Sequence, residues 1–432
     1  MLIRMPHPTL RFAFAGAIAC GGAIVASQAQ APQNRPVPTF AHDIAPVLYA
    51  NCVSCHRPGE IAPMSLLTYT DARPWAQAIA RRVADGTMPP WHADAPPGTF
   101  ANERRLSPAQ KDLIAQWVAG GAPLGNPAEL APPPTFADGW RIGTPDQVFE
   151  LPEPYAVPAS GTIEYENFYV PTGFTEAKWL QAVEARPGNR ALVHHILVYY
   201  EAPVEPGAPA PILQLNREDN QLPPRQAGLR PPQRSPGPSR LIATYAPGTD
   251  PQVFPVGTAL RLPPGGVLHF QMHYTAIGKA GTDRSKVGLI FAKQPPATEL
   301  RATAFLNTRL LIPAGSASQA VSTDVTFAQD GIVWGLFPHT HVRGKRWNYE
   351  LTLPDGTSRT ILSVPKYDFN WQTFYMFKEP LRVPRGARIV STAWYDNSPA
   401  NRANPDPSVD VRWGDQTWEE MQYTGILYSA NR

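Results

Sequence analysis

Proline occupies 51 of the 432 positions, and this limits the architecture before any motif is read. A proline ring fixes φ and removes a backbone donor, so it breaks helices and is excluded from central strand positions. A chain so punctuated is expected to build many short strands joined by proline-bearing turns. The length exceeds one ordinary core and implies two or three domains. With 43% hydrophobic and 17% charged residues the composition is globular. A net charge of +3, with no Lys/Arg block, points to no nucleic-acid partner.

The N-terminus reads MLIRMPHPTLRFAFAGAIACGGAIVASQAQAPQ. Arg4 and Arg11 precede an apolar stretch from Phe12 to about Ala26, followed by small residues ending in Ser27-Gln28-Ala29. This is the layout of a secretory signal over 1–29, cleaved after Ala29, and the mature chain is expected to be periplasmic or secreted. The stretch is short for a membrane span, and no later stretch suggests a stable one. Lipid attachment at Cys20 is the alternative, though no Leu stands three positions before it. Cleavage leaves Cys52 and Cys55, too few for a disulfide framework in an exported protein of this size.

Those two lie in Cys52-Val53-Ser54-Cys55-His56. Two thiols three positions apart with His next is the attachment pattern of a c-type haem, the thiols forming thioethers and His56 lying under the iron. A redox dithiol would not need the His, and a zinc site would need a second pair nearby. For the sixth iron ligand the candidates are Met64 (IAPMSLL), Met88 and His92 (GTMPPWHAD). Met88, on a proline-bearing loop well downstream, fits best. Phe40 to Ala50 has helical apolar spacing, and Ser107-Pro108-Ala109-Gln110 is a capping box opening a helix stopped by Gly120-Gly121. A small all-α cytochrome c domain is expected over 38–125, followed by a Pro-rich linker over 126–139.

Beyond residue 140 the sequence is strand-like, apart from a Pro/Gln/Arg-rich excursion from Ala202 to Arg240. The remaining six histidines fall in pairs: His194-His195 in NRALVHHILVYY, His269 and His273 in VLHFQMHYT, His339 and His341 in FPHTHVRG. One strand histidine is ordinarily a packed imidazole. Three pairs inside apolar strands would desolvate several imidazoles without partners, and metal ligation explains them more economically. Imidazoles alone suit zinc or copper. A thioether would favour Cu(I), and Met421 stands in WEEMQYTGILYSA ahead of a final strand.

HH in a strand, then Q-x-H-Y, then H-T-H, then E-M resembles the copper type II monooxygenases, the enzymes that hydroxylate dopamine and peptidylglycine. The resemblance covers roughly 140–432. It implies two all-β sandwich domains, 140–295 and 296–432, with one copper ion each. It also implies that His194, His195 and His273 hold an electron-transfer copper, and that His339, His341 and Met421 hold the copper where O2 is activated. His269 is left over. The sequence departs from the peptide-amidating members: Phe337 stands where they carry a carboxylate-binding Arg, and Tyr423 and Gly425 replace their Asn and Tyr. Peptide amidation is therefore not expected. The expectation is an exported monooxygenase hydroxylating a C–H bond of a small organic substrate, with haem c feeding electrons from an external donor. The alternative is an electron-transfer or copper-binding protein without hydroxylase activity.

Overall fold

In the computed structural model residues 36–60, 62–136, 139–203, 211–221, 239–246 and 249–431 are described. The secretory signal, Cys20 and most of the 202–240 excursion lie outside them. The chain divides into a leading segment, Met1–Val37, and one compact unit, Pro38–Arg432.

The helices of this unit are short. Thr39 caps a helical stretch from Phe40 to Asn51 that runs directly into Cys52. A second group, Tyr69–Ala72 to Ala76–Ala84, starts at the Thr68 cap. The twelve residues Pro108–Ala119 begin at Ser107, whose hydroxyl and backbone N–H exchange bonds with Gln110, and end at Gly120. Phe40, Leu48, Ile114 and Trp117 form a small shared core, against which Leu130 and Phe136 of the Pro-rich segment also pack.

The expected fold class is corrected here. Among the described residues strands hold 38% and helices only 12%, and the helical residues do not form a separate all-α domain. So few short helices bury little apolar surface, and the segment completes its burial on the sheets. Trp91 and Phe100 lie in the core of the C-terminal strands. Phe100 bridges to Phe377, and Lys378 donates its backbone N–H to the Thr99 carbonyl at 3.0 Å. The strands, likewise, are not two separate sandwiches. Thr298–Leu306 pairs in parallel with Thr258–Leu262 and antiparallel with Tyr423–Ala430, so one nine-stranded sheet crosses from the first half to the second. Leu213–Leu215 of the first half also joins the five-stranded sheet of the second, alongside Gln319–Phe327.

Two strand pairs carry the histidines. Val193–Glu201 lies antiparallel beside Val267–Tyr274 in a four-stranded sheet. Gly331–His339 lies antiparallel beside Tyr423–Ala430 in the long sheet. Residues 365–374, between the strands Ser358–Val364 and Tyr375–Val383, form the loop that reaches both groups. Among the described residues no helix is long and apolar enough to cross a membrane.

Candidate metal centre

Neighbouring strand residues point to opposite faces, so His194 and His195 should diverge. A β-bulge brings them together. His273 registers with His195, but Tyr274 registers with Val193, which leaves His194 as the extra residue. The His194 and His195 rings therefore stand 4.1 Å apart, and the candidate ligand atoms of His194, His195 and His273 all lie within 4.8 Å of one another. His194 Nδ1 and His273 Nδ1 face each other at 3.3 Å. Two nitrogens each about 2.0–2.1 Å from one tetrahedral ion would stand roughly 3.3 Å apart.

The second group follows from strand register. His339 pairs with Tyr423 at the end of that ladder, and His341 and Met421 each lie two residues beyond it. His339 and His341 lie on one face with ring centroids 5.4 Å apart. The buried Glu420 carboxylate ties His341 to Met421. It accepts the backbone N–H groups of Arg343 at 2.6 Å, His341 at 2.7 Å and Met421 at 3.3 Å. Complete burial pushes this carboxyl up to about 8, against the downward pull of these donors and of the Arg343 guanidinium.

The imidazoles are oriented and neutral. His341 Nδ1 donates to the Glu419 carbonyl at 3.1 Å, and its buried Nε2 has no protein partner. Such an arrangement holds one ring nitrogen and presents the lone pair of the other, as metal-ligating histidines require. His339 Nδ1 donates to Gln372 Oε1 at 2.9 Å. Burial drives His339 down to about 4 and His273 and His341 down to about 3, and it depresses His194 and His195 in the same direction.

The two groups adjoin. Gln372 spans them, donating its amide to His195 Nδ1 at 3.2 Å while accepting from His339. The Phe369 ring lies within 6.3 Å of His194, His195, His273 and His341. Tyr165 stands 4.8 Å from His273 and 6.1 Å from His341. Gln372, Phe369 and Tyr165 stand in no motif that would have marked them in advance. Glu420 was visible as the acid before Met421.

His269 joins neither group. Its Nδ1 faces Glu201 Oε1 at 3.1 Å, its Nε2 faces Asn167 Oδ1 at 2.7 Å, and Tyr169 stacks on it at 4.4 Å. Both nitrogens are engaged, so it braces the sheet.

At Cys52-Val53-Ser54-Cys55-His56 one tight turn is closed by Cys55 and His56 N–H bonds to the Cys52 carbonyl. The thiols are not joined in a disulfide. His56 Nδ1 donates to the Met64 carbonyl at 3.2 Å, leaving Nε2 for a metal. Met64 thus stands behind the His56 ring, with its side chain against the helical core. Met88 is half-buried on the loop after Ala76–Ala84, with its N–H on the Arg82 carbonyl at 3.0 Å. His92 lies instead beside Asp368, in the loop over the histidines.

No protein-family model matches the chain, and no curated protein matches it. Among solved structures, similar chains include the infectious bursal disease virus VP2 subviral particle, with 9% identity over 67% of this chain and 75% of that chain and a TM-score of 0.19. PNGF-II matches with 9% identity over 66% of each chain and a TM-score of 0.28. Allantoicase from Saccharomyces cerevisiae matches with 8% identity over 63% of this chain and 80% of that chain and a TM-score of 0.18. Likeness this slight does not bear on the chemistry of the site.

Proposed function

We propose that the protein is an exported copper monooxygenase, as the resemblance to the copper type II enzymes implies. It would convert a small organic substrate by R–H + O2 + 2e⁻ + 2H⁺ → R–OH + H2O. The observation that carries this reading is the pair of adjoining groups of buried or half-buried imidazoles, in one of which the Glu420 carboxylate joins the backbones of His341 and Met421. His194, His195 and His273 would hold one copper ion, and His339, His341 and Met421 the other. Cys52, Cys55 and His56 would hold haem c, with Met88 as the second axial ligand. When bound, the copper ions supply oxygen activation and the haem supplies single electrons from an external donor.

The protein's own part is positional. The bulge at His194 turns two adjacent imidazoles to one side, and Glu420 fixes the backbone of His341 against Met421. Phe369 packs its ring on His195 and Tyr165 packs on His341, so both groups share aromatic walls. The haem turn is anchored on the strands of the first group. Glu60 pairs with Arg190, just before Val193–Glu201. Cys55 shares a pocket with Tyr245, which registers with Ile196 beside His195.

A second reading, an electron carrier or copper-binding protein without hydroxylase activity, is favoured by the small space between the groups, about 10 Å³. Oxygen uptake separates the two. With a reductant and a substrate present, copper-loaded protein should consume O2 at a rate that rises with substrate, and copper-free protein should not. Uptake that ignores substrate would favour the second reading.

A further inference from the structure

A substrate cannot lie in about 10 Å³ between the imidazole groups, so it must approach from elsewhere. On the far side of Gln372 a groove of about 580 Å³ opens where the N-terminal segment, the 244–256 region and the strand Tyr375–Val383 meet. This volume suits a small organic molecule. Its walls include Trp334, Trp371, Phe254 and Phe374, and at its mouth Val253 and Val256 are exposed.

Two links join the groove to His339. Gln372 lines both the groove and the space between the imidazoles. Phe374, also in the groove wall, stacks on Phe337 at 6.0 Å and 14°, and Phe337 stacks on His339 at 6.1 Å and 8°. The charges lining the groove are Arg104, Lys378 and Asp250, two cations and one anion, giving +1. Asp250 is already held by both Arg104 and Arg141. Lys378 is exposed.

We propose that this groove is the substrate seat and that it takes a small aromatic acid. The ring would lie against Trp371 and Phe374, and the carboxylate would lie toward Lys378. Calling the ligand a substrate rests on the monooxygenase reading; the groove's preference for an aromatic anion does not. An aromatic amine of the same shape would meet the wrong charge. Gln372 is then the partition between the bound ring and His339.

The test titrates 2-naphthoate and 2-naphthylmethylamine into the full chain without added metal, at low ionic strength, by calorimetry. Naphthoate should saturate one site and bind roughly fivefold or more tighter than the amine. Trp371→Ala should weaken naphthoate about tenfold by removing an aromatic wall. Lys378→Glu, an exposed change that leaves folding intact, should erase or invert the preference between the two probes. No saturable naphthoate binding, an amine that binds as tightly, or affinities unmoved in both variants would overturn the proposal. Copper titration of the same samples keeps the two readings apart. Naphthoate bound without copper uptake upholds the groove and sinks the copper reading, whereas copper uptake without naphthoate binding sinks the groove alone.

Discussion

His341 is aimed through its ring and its backbone at once. Its Nδ1 is held by the Glu419 carbonyl, its backbone N–H by Glu420, and its Nε2 faces a side without a protein partner. Met421, tied to His341 through the same Glu420 carboxylate, is 9% exposed, so its side chain serves packing as well as the proposed ligation. Met421→Ile exchanges one buried apolar side chain for another of similar volume and should cost about 1 kcal/mol of stability. It should nevertheless abolish substrate-dependent O2 uptake while one copper ion remains at His194, His195 and His273, checked by thermal unfolding and metal analysis. Loss of both ions together would argue against separate sites. At this scale the sequence was legible where spacing encodes geometry: a two-residue step keeps His339 and His341 on one face. Gln372 and Phe369 were not legible, because one amide and one ring in a loop mean nothing until folding brings them to the imidazoles.

Strand alternation alone would have separated His194 from His195, and the bulge that unites them depends on a register no local pattern reveals. The two strand pairs and the residues just beyond them bury His195, His339 and His341 and half-bury His194 and His273. Burial holds His339 at about 4 and His273 and His341 at about 3 in the folded chain, against an ordinary value of 6.5. The unfolded chain therefore binds protons below 6.5 that the folded chain refuses. Stability from this source is complete above pH 6.5 and drains away as pH falls toward 3. In metal-free protein the unfolding temperature should fall steadily from pH 6.5 to pH 4, and replacing His273 by Asn should flatten that slope. An unchanged slope would mean that other groups set the acid sensitivity.

For the molecule as a whole, the helical segment and the sheets form one unit. Helix caps such as Ser107-Pro108 and the strand-rich composition of the remainder were readable, because both are local. The seam between Thr258–Leu262 and Thr298–Leu306, and the lodging of Trp91 and Phe100 among C-terminal strands, are long-range pairings without a sequence signature. The expectation of independent domains failed at those points. Integration of this kind places the Cys52–His56 turn against the strands of the first imidazole group through Glu60–Arg190 and Tyr245. In stopped-flow mixing with O2, the reduced haem band should decay fast only in copper-loaded protein, and His194→Ala should slow it sharply with the haem spectrum unchanged. Equal rates in loaded, metal-free and variant protein would detach the haem from the imidazole groups. The most direct test of the whole is copper content with EPR, for the wild-type chain beside His194→Ala and His339→Ala. Two copper ions per chain with two distinct Cu(II) signals are expected, each variant losing one ion and its own signal. One ion, none, or the loss of both in either variant would contradict two adjoining copper sites.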